Sequence, residues 1–111
     1  MKLTNKYVDL EHAKLLKEAG IIIESEYTYE EFRGLYTLRR NLYVEMNNKD
    51  CPAPDVSELL EFFKNEKIII NNNASYFNIC LDREKGIEFE NANLSNALTD
   101  LCIWVRKEGL K

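Results

Sequence analysis

Few side chains in this chain belong to the types that do chemistry, and they are scattered. There is one histidine, His12, and three cysteines, Cys51, Cys80 and Cys102. A nucleophilic cysteine needs a base that lowers its pKa, and only His12 could supply an imidazole. No Asp, Ser or Cys at a useful local spacing supports His12 as a catalytic group, so it reads as structural or half-exposed. One histidine and three dispersed cysteines do not make a zinc pattern. Glu88 and Glu90 are paired carboxylates, but alternating acids on a strand read as an exposed face. Gly-rich phosphate loops, nucleophile elbows and His-Glu-x-x-His spacings are missing from the sequence. The expectation is a non-enzyme with no cofactor and no metal.

The richer chemistry is that of contact. Six tyrosines, five phenylalanines and one tryptophan are generous for 111 residues. Tyr27, Tyr29, Tyr36 and Tyr43 share one stretch with Arg39 and Arg40, and Tyr and Arg anchor protein interfaces well. These residues are the candidate partner surface, with Ile103 and Trp104 as a second contact edge. The competing reading puts the tyrosines over a sheet face beneath a helix, hydroxyls at the rim. Arg33, Arg39 and Arg40 beside tyrosines could also clamp single-stranded RNA. The net charge of −4 disfavours direct nucleic-acid contact. A small acidic cluster, Glu24, Glu26, Glu30 and Glu31, would suit a basic partner or simply a solvated surface.

These residues must be positioned by one domain over 1–111. Hydrophobic residues make up 45% and charged residues 31%, enough for a core and a wettable surface. No apolar run is long enough to span a membrane, and no basic-then-apolar leader follows Met1. An odd cysteine count points to a reducing, cytoplasmic setting. Abundant Asn, Lys and Ile, as in Ile68-Ile69-Ile70-Asn71-Asn72-Asn73, suggest AT-rich codons and hence a bacterial or phage origin.

The clearest element signal is Cys51 to Phe63. Pro52 and Pro54 exclude a helix before them. Asp55 can then cap a helix from Val56 to about Lys64, with Glu58 reaching back to close a capping box. Asp9 caps an earlier helix, 10–19, and Gly20 stops it. Its inner stripe is Val8, Leu15, Leu16 and Ala19. Ile21-Ile22-Ile23 opens an extended segment, and Tyr27 and Tyr29 alternate with polar neighbours as in a strand. From Glu30 to Asn48 two readings compete. Phe32, Leu35, Leu42, Tyr43 and Met46 can be laid on a helix, but Gly34 weakens one. A hairpin turning near Phe32 to Gly34 is preferred.

Strands are expected at Lys67–Asn71 and Tyr76–Leu81, and again through Ile87 and Phe89, with turns at Asn71–Asn73 and Asp82–Gly86. Asn93 caps a last helix from Leu94 to about Glu108, stopped by Gly109. Leu94, Ala97, Leu98, Leu101 and Val105 share one face of it, with Ile103 opposite. The fold class is α+β: a single layer of mostly antiparallel sheet, about four or five strands, packed with three helices in the order α-β(β)-α-β-β-β-α.

Two segments carry a family resemblance. Val8-Asp9-Leu10-Glu11-His12-Ala13-Lys14-Leu15-Leu16-Lys17-Glu18-Ala19-Gly20 is one. Pro52-Ala53-Pro54-Asp55 leading into Leu59-Leu60-Glu61-Phe62-Phe63 is the other, before the final helix with Asn96-Ala97-Leu98. Together they resemble a group of small phage and prophage proteins of Bacteroidetes type, which place a Pro-Ala-Pro element before the middle helix. They also look like the phage "ABA sandwich" architecture. His12 departs from the apolar residue usual at its position. The group has no established activity, so no functional residue carries over. The resemblance implies only a setting, an accessory protein of a mobile element working inside a bacterial cell; a monomer or a structural homodimer through Ile103 and Trp104 are both open. Given that setting, the leading expectation is a non-enzymatic protein that binds a host protein or ribonucleoprotein complex, with anti-CRISPR-like inhibition of host defence as its role.

Overall fold

The computed structural model describes residues 7–40 and 49–109. In order these are α1 (Leu10–Glu18), β1 (Tyr27–Phe32), β2 (Leu35–Arg40), β3 (Cys51–Ala53), α2 (Val56–Phe62), β4 (Ile68–Asn72), β5 (Phe77–Leu81), β6 (Glu84–Asn91) and α3 (Leu94–Trp104). A π-helical turn, Val105–Gly109, follows α3. The α+β class and the order of elements agree with the sequence reading. The single sheet does not. Among the described residues the strands form two antiparallel sheets, β2-β1-β3 and β4-β5-β6. Strand β3, which the sequence does not predict, explains the split. Pro52 sits in it and has no N–H to give, so β3 closes the first sheet as an edge rather than passing the ladder on.

The helix ends follow from their sequences. Asp9 accepts the His12 amide at 2.9 Å. The end of α1 is a Schellman motif: Gly20 N–H donates to Lys17 at 3.1 Å and Ile21 N–H to Leu16 at 3.0 Å. Gly20 takes φ +74 there, and Leu16 and Ile21 are both buried beneath it. At α2 the capping box is complete, with Asp55 taking the Glu58 amide and Glu58 the Asp55 amide, each at 2.9 Å. The inner stripe of α1 differs from expectation: Ala13 is fully buried, whereas Leu15 is 37% exposed.

The hairpin reading of 30–40 holds. Strands β1 and β2 pair from Tyr27↔Arg40 to Phe32↔Leu35. Their two-residue turn is Arg33-Gly34, with φ of 54° and 81°. Positive φ at both positions is what a type I′ turn requires, and that turn matches the strand twist. The part of the segment holding Leu42, Tyr43 and Met46 lies outside the described residues.

In the second sheet the first turn falls later than expected, with Asn73 N–H donating to Tyr76 at 2.8 Å. The second is tighter, so that Leu81 pairs with Glu84 and Gly86 lies within β6. Ile79 and Leu81 are fully buried against α3, which also packs on α1 and α2. Helix α3 buries its expected stripe, and Ser95, Asn96, Thr99 and Cys102 besides. Ile103 is half-buried and packs on the core with Trp104, so it is not the exposed residue expected of it.

Two stability effects follow. The Thr99 hydroxyl is buried and finds no hydrogen-bond partner among the described residues. Thr99→Val removes an unsatisfied donor and should stabilise the fold by about 1 kcal/mol in denaturant unfolding. At the hairpin, Gly34→Val forces a β-branched residue to positive φ and should cost roughly 1–2 kcal/mol. Arg33→Asn should instead gain a few tenths to about 1 kcal/mol, because Asn tolerates that region.

Candidate protein-interaction surface

Alternation along the β1–β2 hairpin sorts its side chains onto two faces. Tyr27, Tyr29, Glu31, Tyr36, Leu38 and Arg40 share one, because Tyr27 pairs with Arg40, Tyr29 with Leu38 and Glu31 with Tyr36. This face turns inward. The Tyr27 ring meets Tyr7 edge-on at 5.2 Å. The Tyr29 hydroxyl donates to the Val8 carbonyl at 2.9 Å, and burial pushes its pKa up. Lys14 Nζ lies 4.6 Å from the Tyr36 ring centroid. All three tyrosines are half-buried and packed against the core. They are the rim of the sheet beneath a helix rather than an open binding face. Tyr43 lies outside the described residues.

The arginines face carboxylates. Arg40 Nε is 2.9 Å from Glu26, and Arg39 Nε is 3.5 Å from Glu30. Both pairs are exposed, and such pairs contribute only ~0–1 kcal/mol, so a partner could exchange them. Of the acidic cluster, Glu31 instead faces Lys49 at 3.5 Å.

The opposite face carries the feature that sequence reading missed. Phe32 and Leu35 pair directly across the turn and are 68% and 74% exposed. Arg33 lies over the Phe32 ring, its guanidinium carbon 5.1 Å from the centroid. Alternation held the signal. Once the hairpin turns at Arg33-Gly34, the odd-numbered Tyr27 and Tyr29 go inward and the even-numbered Phe32 goes outward. An apolar pair at the end of a tightly turned hairpin protrudes and is fixed in direction. Both are properties of an interface anchor.

A cavity of about 570 Å³ lies near the open end of the hairpin, lined by Ile23, Glu24, Ser25, Glu26, Glu58 and Glu61. Much of its negative charge is already engaged. Glu26 pairs with Arg40, and Glu58 accepts the Glu26 amide at 2.8 Å while also capping α2. Burial pushes the Glu58 carboxyl up in spite of these hydrogen bonds.

Nucleophilic chemistry is not favoured at the thiols. Cys51, Cys80 and Cys102 are all buried and unpaired. Burial raises the pKa of Cys51 and, more strongly, of Cys102, which keeps both protonated. His12 lies between two carboxylates. Its Nδ1 is 2.8 Å from Asp9 and its Nε2 is 3.4 Å from Asp100. The sequence reading found no useful Asp near His12, yet Asp9 stands three residues before it. That spacing makes an ion pair on one helix face, not a nucleophile's base.

No helix among the described residues is long and apolar enough to cross a membrane. Comparison with protein-family models, with curated proteins and with solved structures finds no match to this chain.

All three thiols should react with an aromatic disulfide reagent at least about a hundredfold more slowly in the native protein than in denaturant. Rapid native labelling of one thiol would show that it is accessible.

Proposed function

We propose that this chain is a non-enzymatic binding protein that docks on a host protein or ribonucleoprotein complex through the tip and outward face of the β1–β2 hairpin. The observation that carries this reading is the exposed Phe32–Leu35 pair, held out by the Arg33-Gly34 turn. Burying two such side chains in a partner's pocket is worth roughly 1.5–3 kcal/mol each, and the surrounding Glu30–Arg39 pair forms a polar rim. The finer reading is inhibition of a bacterial defence system such as CRISPR. It rests on the resemblance to phage accessory proteins, and on the fact that a blocker needs a surface and no catalytic group.

The RNA reading is less favoured. The tyrosines that would stack on bases point into the fold, and Arg39 and Arg40 would have to leave Glu30 and Glu26 to reach phosphates.

Affinity capture from a bacterial host, with the tagged full chain as bait, tests the reading. Wild type should retain one stoichiometric complex. Phe32→Asp with Leu35→Asp should lower retention at least about tenfold at unchanged circular dichroism, as loss of an interface anchor does. Ile22→Asp, a change at a residue 84% exposed outside the hairpin, should retain it. Retention by the hairpin variant would remove the assignment to this surface. Failure of wild type to retain any complex would remove the binding reading itself. Labelled RNA across a salt series is the control, and binding that collapses with salt would favour phosphate contact.

A further inference from the structure

We propose that Asp9, His12 and Asp100 form a proton-operated latch: a doubly protonated imidazole donates Nδ1–H to Asp9 and Nε2–H to Asp100, fastening the start of α1 to α3, and loss of one ring proton breaks the tie to Asp100. The argument is one of donors and acceptors. A neutral imidazole has one N–H and one bare nitrogen, but both ring nitrogens here face carboxylate oxygens, at 2.8 and 3.4 Å. A carboxylate can only accept, so a neutral ring would set a lone pair against an anion on one side.

The ring has little room to turn away, since its side chain is 12% exposed. Nor is Asp9 free to move. It accepts the His12 amide at 2.9 Å and Asn96 Nδ2 at 2.9 Å, while its own amide donates to Asn96 Oδ1 at 3.0 Å. Burial raises the Asp9 carboxyl, but the His12 amide, the His12 ring with its charge and the Asn96 amide together outweigh it and hold the carboxyl below its usual range, so it stays an anion.

Among the described residues α1 packs chiefly on α3 and β3, and its Lys14 reaches the Tyr36 ring of β2. From α3 the charged group facing His12 is Asp100, with Asn96 as a neutral neighbour. β3 contributes Cys51, whose charged neighbours are Lys17, Lys14, Asp50 and Glu18. Lys14 and Lys17 act on Cys51, and the charges that act on the His12 ring are the carboxylates of Asp100 and Asp9. Hydrogen bonding to Asp100, opposed by burial and reinforced by Asp9, pushes the imidazole up from 6.5 to about 9. A raised folded-state pKa contributes stability that is complete below the unfolded value. Here that contribution is present in full below about 6.5 and fades as pH climbs through about 9. The Asp9–Asn96 pair does not titrate in this window, so the loss is confined to the first turn of α1.

His12 is the chain's one histidine, so its ring resonances need no assignment by mutation. Nitrogen-15 NMR of the full chain should show both ring nitrogens protonated at neutral pH, with a titration midpoint near 9. Asp100→Asn should lower that midpoint by at least about one unit. Exchange of the Ala13 amide, corrected for base catalysis and referred to Ile79 in β5, should quicken about tenfold across the transition. In His12→Gln it should be fast already and flat with pH. A midpoint near the ordinary histidine value, or a single-tautomer neutral ring at neutral pH, would overturn the latch. If His12→Gln does not fold, the wild-type titration and Asp100→Asn decide alone.

Discussion

Helix α3 gives up almost all of its surface. Leu94, Ala97, Leu98 and Leu101 would be buried in any amphipathic helix, but Ser95, Asn96, Thr99 and Cys102 on its other sides are buried too. A helix enclosed in this way needs neighbours all round, and the rest of the chain supplies them. β5 and β6 cover one side, α2 another, and α1 a third. The small side chains at 95, 97 and 99 let those neighbours come close. The polar ones demand partners, and Asn96 finds two in Asp9. The two sheets never need to join, because each is held through the helices and the shared core rather than through a continuous ladder.

Enclosing α3 fixes the stretch around Tyr7 to Asp9. Asn93 Nδ2 donates to the Tyr7 carbonyl, Val8 N–H donates to Pro54, and the Tyr29 hydroxyl donates to Val8. Three elements thus converge on three residues. The tyrosines of β1 and β2 are drawn inward by this convergence, and on the far face Thr28 is buried as well, so the exposed apolar side chains are those near the tip, Phe32 and Leu35. The position of the candidate surface is in this sense a by-product of how the helix is covered.

Much of this was legible because it is local. The caps at Asp9, Asp55 and Asn93, the stop at Gly20 and the hairpin at Phe32 to Gly34 depend on residues within a few positions of one another, where side chain and backbone chemistry dictate conformation. The pairing of β3 with β1 was not legible, since three residues containing a proline carry no strand signal without their partner. The two-sheet split followed from that pairing. His12 is half-legible: Asp9 is local, three residues before it, whereas Asp100 reaches it only through the tertiary fold. At the hairpin, composition and parity single out different faces. Aromatic and arginine content drew attention to Tyr27, Tyr29 and Tyr36, but only strand parity tells which of the neighbouring aromatics meets water.

The tether between Tyr7–Asp9 and Asn93–Asn96 has a consequence for how the protein is made. The first described residues are held by nearly the last element, so their contacts have high sequence separation and close late in folding. During synthesis α1 is made long before α3, and its apolar stripe of Val8, Ala13 and Leu16 has only the β3 side of its cover until α3 emerges. The β4–β6 meander, built from adjacent strands, can form in the meantime and wait as the platform on which α3 settles. Helix α1 is therefore translated well before α3 and is among the last elements to be fully enclosed.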